Sequence, residues 1–178
     1  MRFLETPLAG VCVIELDRLT DERGWFARSF AAEEFAARGM NAAVVECNTS
    51  FNARRGTVRG MHYQAEPHGE SKLVRCIRGA VFDVALDLRD GSPTRLAWHG
   101  VELTEDNRRA LYIPAGLAHG FQSLSDDSEL LYLMGNAYVP DATRGVRWDD
   151  PAFAIEWPAA DGPRILSERD ASYPDFAT

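Results

Sequence analysis

The most constraining feature of this sequence is an alternation of apolar and polar residues with period two, repeated in short segments between turn signals. In residues 81–88 the even-numbered positions are apolar, whereas Asp83 and Asp87 fall on the opposite face of a strand. Similar runs predict strands at Val11–Leu16, Val44–Phe51, Val58–Gln64, Leu73–Arg78, Trp98–Leu103, Arg109–Ile113, His119–Leu124 and Leu130–Met134. Many short strands at even spacing indicate an all-β protein, and a double-stranded β-helix jelly roll is the favoured form.

Two segments depart from this alternation. Ala31–Arg38, closed by Gly39, predicts one short surface helix near the N-terminus. Beyond Pro151 the chain is rich in Pro, Asp and Ala and predicts a C-terminal tail wrapped over the barrel. A length of 178 residues favours one domain, so we expect residues 1–178 to form a single jelly-roll unit.

The charge balance restricts the partners of the chain. Asp and Glu number 27 against 19 Lys and Arg, a net charge of −8, which argues against a nucleic-acid or anionic-membrane surface. A small anionic ligand held by a few arginines remains compatible with this balance. No segment approaches the roughly 20 apolar residues that span a bilayer. The three cysteines, Cys12, Cys47 and Cys76, form no CxxC pair, so we expect buried structural thiols in a reducing cytoplasm.

The basic residues comprise 18 arginines and a single lysine, Lys72. Codon preference explains a general replacement of lysine by arginine. The surviving lysine then marks a place where a compact, deprotonatable charge serves and the planar guanidinium does not. From composition alone, functional and accidental origins of Lys72 both stay open.

The segment Arg59-Gly60-Met61-His62 is the most site-like part of the sequence. Glycine inside a strand indicates a bulge or a close approach by another group. Arg59 and His62 flank this glycine, and the alternative interpretation is a structural histidine beside a surface arginine. A second histidine, His119, follows the turn at Pro114–Gly116 and is expected at the mouth of the barrel.

The spacing PxGxxH ending at His119 is also half of the signature of metal-binding cupin barrels. The other half requires a His-x-His pair, which this sequence lacks. A metal set is still conceivable, because imidazole and carboxylate suit first-row divalent ions. Its members would be His62, His68, Glu70 and His119. Outside that hypothesis, His68 and His99 are expected to be exposed.

Several motifs together resemble one known family, the dTDP-4-dehydrorhamnose 3,5-epimerases, from about Thr6 to Asp170. The matching segments are Asp21–Gly24, Arg59–Gln64, Lys72–Arg75, Arg78–Val84, Ile113–Phe121 and Leu166–Asp170. The resemblance implies a cupin jelly roll that works as a homodimer, without a catalytic metal or other cofactor. It also implies inversion of C3 and C5 of dTDP-4-keto-6-deoxyglucose, which gives dTDP-4-keto-L-rhamnose.

The resemblance assigns roles to residues that suit this chemistry. Inversion next to a ketone needs a base, an acid on the opposite face and stabilisation of the enolate between the two proton transfers. His62 is the implied base, with Asp170 orienting its ring, and Tyr132 is the implied acid. Lys72 would offset the enolate charge. His119 would hydrogen-bond the sugar, with Asp83 orienting it.

Further positions match contacts of the family with the nucleotide-sugar. Arg23 and Arg59 match phosphate contacts, which the forked guanidinium suits. In many relatives Arg23 and Phe26 reach the site of the neighbouring subunit, which ties dimerisation to activity. The remaining implied substrate-binding residues are Glu46, Asn48, Tyr138 and Arg169, with Tyr138 stacking on the base.

Three positions depart from the family pattern. Arg28 stands where relatives usually have Glu, Glu46 where they have Gln, and Thr143 where they have Glu. All three belong to the nucleotide-contacting region, so they bear on nucleobase and sugar identity rather than on proton transfer. A carboxylate at Glu46 is unfavourable near a diphosphate unless Arg28 or another cation pairs with it.

Three alternatives to a 3,5-epimerase stay open at this point. The first is an epimerase that inverts C3 or C5 only, or that acts on another 4-keto sugar nucleotide. The second is a cupin that binds a sugar nucleotide without turnover, and the third is a metal-dependent cupin enzyme.

Overall fold

The computed structural model describes residues 1–177, and strands dominate it. The strands are β1 (Arg2–Glu5), β2 (Cys12–Glu15), β3 (Leu19–Asp21), β4 (Gly24–Phe26), β5 (Glu46–Asn52), β6 (Val58–Gln64), β7 (Lys72–Arg78), β8 (Ala80–Asp87), β9 (Trp98–Thr104), β10 (Ala110–Ile113), β11 (Leu117–Ser123), β12 (Ser128–Met134) and β13 (Thr143–Gly145). The helices are α1 (Ala32–Ala36), α2 (Glu168–Ala171) and a 3₁₀ turn at Pro140–Ala142.

The main strands form two antiparallel sheets. One has six strands in the order β1-β2-β10-β7-β12-β5, and the other has five in the order β13-β6-β11-β8-β9. Strands β3 and β4 form a separate hairpin. Neighbours in each sheet are mostly distant in sequence, which is the arrangement of a double-sheet jelly roll and confirms the predicted fold class.

A core of buried apolar side chains joins the two sheets. Residues of both sheets meet in it, among them Val74 and Leu111 from the six-stranded sheet and Val81 and Phe121 from the five-stranded sheet. The outer face of each sheet is covered as well. Helix α1 packs Phe35 on the six-stranded sheet, and the C-terminal segment packs on the other. The layers on both outer faces leave the open end between the sheets as the place for a cavity.

The alternation of strand β8 is confirmed, but its two faces have an unexpected distribution. Val84 and Leu86 pack outward under the C-terminal segment. Asp83 and Asp87 share the opposite face with Val81 and Ala85 and are completely buried. The C-terminal segment covers the outer face of the sheet, so the apolar face of β8 can point outward. The acidic face of β8 consequently points into the barrel.

All nine predicted strands exist, with boundaries shifted by up to two residues. The pattern missed β1, β3, β4, β13 and helix α2. The missed strands have three or four residues each and are largely exposed, so they carry no alternation of buried and exposed positions. Helix α1 is confirmed within the shorter range Ala32–Ala36.

The expectation of three buried thiols is wrong for one of them. Cys12 and Cys76 are buried, but Cys47 is exposed. It lies on β5, the outermost strand of the six-stranded sheet, so its side chain has no further strand or layer to cover it. Within residues 1–177 no helix is long and apolar enough to cross a membrane.

Gly60 marks a close approach between β6 and β11, as its place inside a strand predicts. A Cβ atom on Gly60 would collide with the Cα of Gly120 and lie 2.9 Å from the carbonyl oxygen of His119. The pairing register of the two strands also shifts between His119 and Phe121. The φ angle of Gly60 is +129°, a region open mainly to glycine.

Substitution of this glycine tests the close approach. Gly60→Ala is expected to lower the free energy of unfolding by about 3 kcal/mol. The added methyl group would collide with backbone atoms, which cannot move aside as a flexible side chain can. Thermal denaturation measures the loss. Gly162→Ala is the control, since a Cβ there meets nothing within 4 Å and its φ is not positive. Equal stability of the two variants would contradict the close approach.

Candidate active site

A cavity of about 600 Å³ opens between the two sheets and is closed on one side by the C-terminal segment. It gathers all four predicted catalytic residues and four of the predicted substrate-binding residues. These are His62, Lys72, Tyr132 and Asp170, and Asn48, Arg59, His119 and Arg169. Residues from five strands and from helix α2 thus face one space.

His62 and Asp170 form a hydrogen-bonded pair at this cavity. The Nε2 atom of His62 lies 2.7 Å from Oδ1 of Asp170, although the residues are 108 positions apart. Helix α2 presents the carboxylate, and its N-cap Ser167 accepts a hydrogen bond from the Asp170 N–H. The backbone N–H of Gly60 donates to the other oxygen, Oδ2, over 3.3 Å. The pair fixes the orientation of the imidazole ring.

The environment keeps Asp170 ionised. Burial alone would raise its pKa, but the hydrogen bond and charge of His62, together with the Gly60 N–H, outweigh it. The pKa of Asp170 therefore lies below its usual range. A carboxylate that is charged at neutral pH stabilises an imidazolium beside it, so this pair is suited to accepting a proton on His62.

Tyr132 faces the same cavity from the opposite sheet. His62 belongs to β6 of the five-stranded sheet, whereas Tyr132 belongs to β12 of the six-stranded sheet. The Tyr132 hydroxyl lies 3.0 Å from the Ser50 hydroxyl. Burial raises the pKa of Tyr132 above its usual range, against the weaker opposing effect of Ser50. The phenol is therefore protonated at neutral pH and can serve as a proton donor.

His119 and Asp83 form a second histidine–carboxylate pair. Nε2 of His119 lies 2.7 Å from Oδ1 of Asp83, and both side chains are buried. The His119 ring packs edge-on against Tyr132, with centroids 6.2 Å apart. Asp83 stands behind His119 rather than at the cavity wall, as expected for a residue that orients the ring.

Lys72 reaches the cavity from the first position of β7. Its Nζ atom forms a 2.6 Å ion pair with Glu70 and donates to the carbonyl oxygen of His62 over 3.3 Å. The side chain is 9% exposed. The single lysine of the chain is thus a buried cation at the site, not a solvated surface charge.

Two arginines supply positive charge around the cavity. The Nε atom of Arg59 donates to the Asn52 side chain, and Arg169 donates to the Tyr173 hydroxyl over 2.9 Å. Arg59 also donates through Nη2 to the carbonyl oxygen of Phe51, whereas the Arg169 guanidinium makes no further hydrogen bond within the described residues. Its terminal nitrogens are therefore available to an anionic ligand.

The other predicted substrate-binding residues lie outside the cavity wall. Arg23 and Phe26 occupy the exposed β3–β4 hairpin, where Arg23 pairs with Asp21. Tyr138 is 58% exposed. Glu46 accepts a hydrogen bond from the Tyr138 N–H over 3.0 Å. In a single chain the structure therefore does not bring these four residues to the cavity.

The three departures from the family pattern have separate surroundings. Arg28 does not provide a cation for Glu46 within the described residues, because its guanidinium lies 3.8 Å from the Glu34 carboxylate instead. Glu46 instead holds the backbone of Tyr138. Thr143 begins β13 and donates to the carbonyl oxygen of Val139. None of the three contacts the His62–Asp170 pair.

The hypothetical metal set does not assemble. His68 is exposed, and the carboxylate of Glu70 is bonded to Lys72. In residues 1–177 no group of three His, Cys, Asp or Glu side chains is arranged to hold a metal ion. His99 is half-buried on β9 rather than exposed, and burial lowers its pKa.

Sequence reasoning missed two polar neighbours of the site. Ser50 contacts Tyr132, and its position two residues after Asn48 on one strand is a signal that could have found it. The contact of Tyr173 with Arg169 has no such signal, because it depends on the turn of helix α2 and the chain after it.

Comparison with known proteins agrees with this geometry. The family model described as dTDP-4-dehydrorhamnose 3,5-epimerase matches residues 5–178. The chain belongs to the dTDP-4-dehydrorhamnose 3,5-epimerase family. Within this epimerase family, the enzyme named dTDP-4-dehydrorhamnose 3,5-epimerase from Sinorhizobium fredii is 42% identical over 99% of this chain and 90% of its own. A protein named dTDP-4-dehydrorhamnose 3-epimerase from Streptomyces niveus is 42% identical over 96% of this chain and 81% of its own.

Solved structures of this epimerase family share the fold. The 3,5-epimerase from Elizabethkingia anophelis superposes with a TM-score of 0.96 at 36% identity, covering 99% of this chain and 96% of that one. The 3,5-epimerase from Legionella pneumophila, solved in complex with dTDP-4-keto-L-rhamnose, has a TM-score of 0.90 at 37% identity and covers 97% and 90%.

Proposed function

We propose that this chain is a nucleotide-sugar 3,5-epimerase that converts dTDP-4-keto-6-deoxyglucose to dTDP-4-keto-L-rhamnose by general acid–base catalysis. One observation carries the proposal. A hydrogen-bonded His62–Asp170 pair and the protonated hydroxyl of Tyr132 face one cavity from opposite sheets. A sugar ring bound between the sheets would have a base on one face and an acid on the other. Inversion of a carbon next to a ketone requires that arrangement.

The proposed reaction follows from these positions. His62 removes the proton from the carbon next to the C4 ketone, and the electron pair moves onto the C4 oxygen as an enolate. Lys72 and His119 stabilise that negative charge by hydrogen bonding. Tyr132 then returns a proton to the opposite face of the carbon, the ketone re-forms, and the configuration is inverted. Exchange with solvent then removes the proton from His62 and returns one to Tyr132, after which a second cycle at the other α-carbon completes the product.

The nucleotide would be held by cationic side chains at the cavity rim. We assign the diphosphate to Arg59 and Arg169, and the segment carrying Asn48 to the sugar nucleotide. A few arginines are enough to bind the diphosphate, since a cleft with low-dielectric walls focuses the electric field of its cations on the ligand.

We further propose a homodimer in which the β3–β4 hairpin of one subunit completes the site of the other. The hairpin is exposed, with Phe26 72% and Trp25 45% accessible, and Arg23 contacts only its neighbour Asp21 among the described residues. An exposed aromatic pair with a basic residue is typical of a surface that is covered in an assembly. Glu46 is the cross-strand partner of Met134, which lines the cavity, so we place the approach of the hairpin on that side.

We also propose that the protein is located in the cytoplasm. All three cysteines are free thiols. Free thiols in a chain of this size suit a reducing compartment.

The test is incubation with dTDP-4-keto-6-deoxyglucose in D₂O, with the C3 and C5 protons followed by NMR. We expect deuterium at both carbons, and a 4-ketoreductase should then trap dTDP-rhamnose. Exchange at one carbon alone would indicate a mono-epimerase, which the similarity to the Streptomyces niveus 3-epimerase makes the relevant alternative. Binding without any exchange would contradict the enzymatic proposal and leave a sugar-nucleotide-binding cupin.

A further inference from the structure

Glu70 is a buried carboxylate next to the site that the proposed reaction does not use. It precedes β7 by two residues, and its Oε1 atom lies 2.6 Å from Nζ of Lys72. The Glu70 side chain is 5% exposed and that of Lys72 is 9% exposed. Glu70 is not among the described residues that line the cavity, whereas Lys72 is. Glu70 therefore contacts the lysine from behind.

The partners of the Lys72 ammonium leave N–H donor capacity for a ligand. An ammonium group has three N–H donors in a fixed tetrahedral arrangement. Within residues 1–177 the ammonium forms an ion pair with Oε1 of Glu70 over 2.6 Å and donates one hydrogen bond to the carbonyl oxygen of His62, 3.3 Å away. With the ammonium held between these two oxygens, the direction of its remaining N–H donors is set by the protein and not by the ligand.

The second oxygen of Glu70 indicates that this pair does more than satisfy buried charges. Oε2 of Glu70 is buried and has no hydrogen-bond partner among the described residues. A buried pair that served stability alone would be expected to satisfy both carboxylate oxygens, because an unpartnered one is unfavourable. The carboxylate is held where Oε1 reaches Lys72, although Oε2 then has no hydrogen-bond partner among the described residues.

We propose that Glu70 is the positioning residue of Lys72, and that it orients the free N–H of the ammonium toward the developing enolate oxygen of the substrate. The inference rests on the proposed epimerase function. A lysine side chain has four rotatable bonds, and fixing it before the reaction removes an ordering cost from the chemical step. Because the enolate charge develops only along the reaction, the effect belongs in kcat and not in KM.

The single lysine makes a direct spectroscopic test possible. Protein labelled with ε-¹⁵N-lysine contains one labelled ammonium, that of Lys72. We expect wild-type protein without ligand to give one ¹H–¹⁵N ammonium signal, since buried, hydrogen-bonded protons exchange slowly with water. Glu70→Ala should lose this signal through faster exchange. Glu70→Gln retains an acceptor oxygen of the same shape and should keep the signal at a shifted position.

Kinetics test the consequence for the reaction. Glu70→Ala is expected to lower kcat about 10- to 100-fold, with KM within about threefold of wild type. Glu70→Gln should restore kcat to within about fivefold of wild type, because it keeps an acceptor oxygen beside the ammonium while removing the charge. Glu66→Gln is the matched control on the same loop, since Glu66 is exposed, and it should leave kcat and the Lys72 signal unchanged.

The outcomes separate this inference from the epimerase function. Wild-type kcat and an unchanged ammonium signal in Glu70→Ala would overturn it, and so would a Glu70→Gln variant as slow as Glu70→Ala. If Glu70→Ala does not fold, loss of the signal in Glu70→Gln would overturn it and retention would support it. If wild-type protein shows no epimerisation, the proposed function fails, and the signals still report whether Glu70 holds Lys72.

Discussion

His62→Ala is expected to lower the rate of deuterium uptake from solvent into the 4-keto sugar by about 10²–10⁴-fold. The His62 imidazole faces the cavity with its ring held by Asp170, whose Oδ1 lies 2.7 Å from Nε2. Without it, neither α-proton is removed, so exchange and product formation should fall together. Binding of dTDP, measured by calorimetry, should change little, because the proposed phosphate contacts are elsewhere.

The stability of this variant requires its own control. Removal of His62 leaves the carboxylate of Asp170, which is 4% exposed, without its main hydrogen-bond partner. An unpaired buried carboxylate destabilises the fold. His62→Gln provides a second variant, since its amide can donate to Asp170 but cannot act as a base. Substitution of the exposed His68 by alanine controls for loss of a histidine. Wild-type exchange in His62→Gln would exclude His62 as the base.

Tyr132→Phe is expected to separate the two proton transfers. The hydroxyl is removed without a change in ring packing, so the inter-sheet core should be retained. The rate of deuterium exchange at the α-carbon that is deprotonated first should stay within about threefold of wild type, because His62 is intact. The rate of formation of inverted product should fall by about 10²–10³-fold, because the variant lacks the proton donor. In the wild-type protein, burial raises the pKa of Tyr132 and keeps this donor protonated.

The comparison requires a tyrosine outside the site. Tyr63 is the neighbour of His62 on β6 but packs against the outer cluster beneath the C-terminal segment. Tyr63→Phe should therefore leave both rates unchanged. Product NMR in D₂O and a coupled 4-ketoreductase assay measure the two steps separately. Inverted product at the normal rate in Tyr132→Phe would show that another group donates the proton.

The strands of the barrel were largely predictable because each buries one face, and burial leaves a period of two in the sequence. Strand β6 was predicted with its true limits, Val58–Gln64. Strands β3 and β13 were not, since three residues without a buried position carry no periodic signal. Their pairing depends on neighbours that sequence patterns do not identify.

The site was predictable in a different way. Gly60 and His62 stood out from the residues alone, because a glycine in a strand and a nearby histidine are unusual together. The roles of Tyr132 and Asp170 came from family resemblance, since a tyrosine in a strand is usually a core residue. Their convergence in one cavity is a result of the structure.

The class of fold, the presence of Lys72 as a single lysine and the motifs of an epimerase family could all be read from the amino-acid sequence. These are properties of local pattern and composition, which a linear chain displays directly. The three-dimensional arrangement was needed to find that Asp83 faces the barrel interior, that Asp170 contacts His62 and that Glu70 pairs with Lys72. Such contacts depend on how two sheets and a C-terminal segment close around one space, and packing of distant segments leaves no periodic trace in sequence.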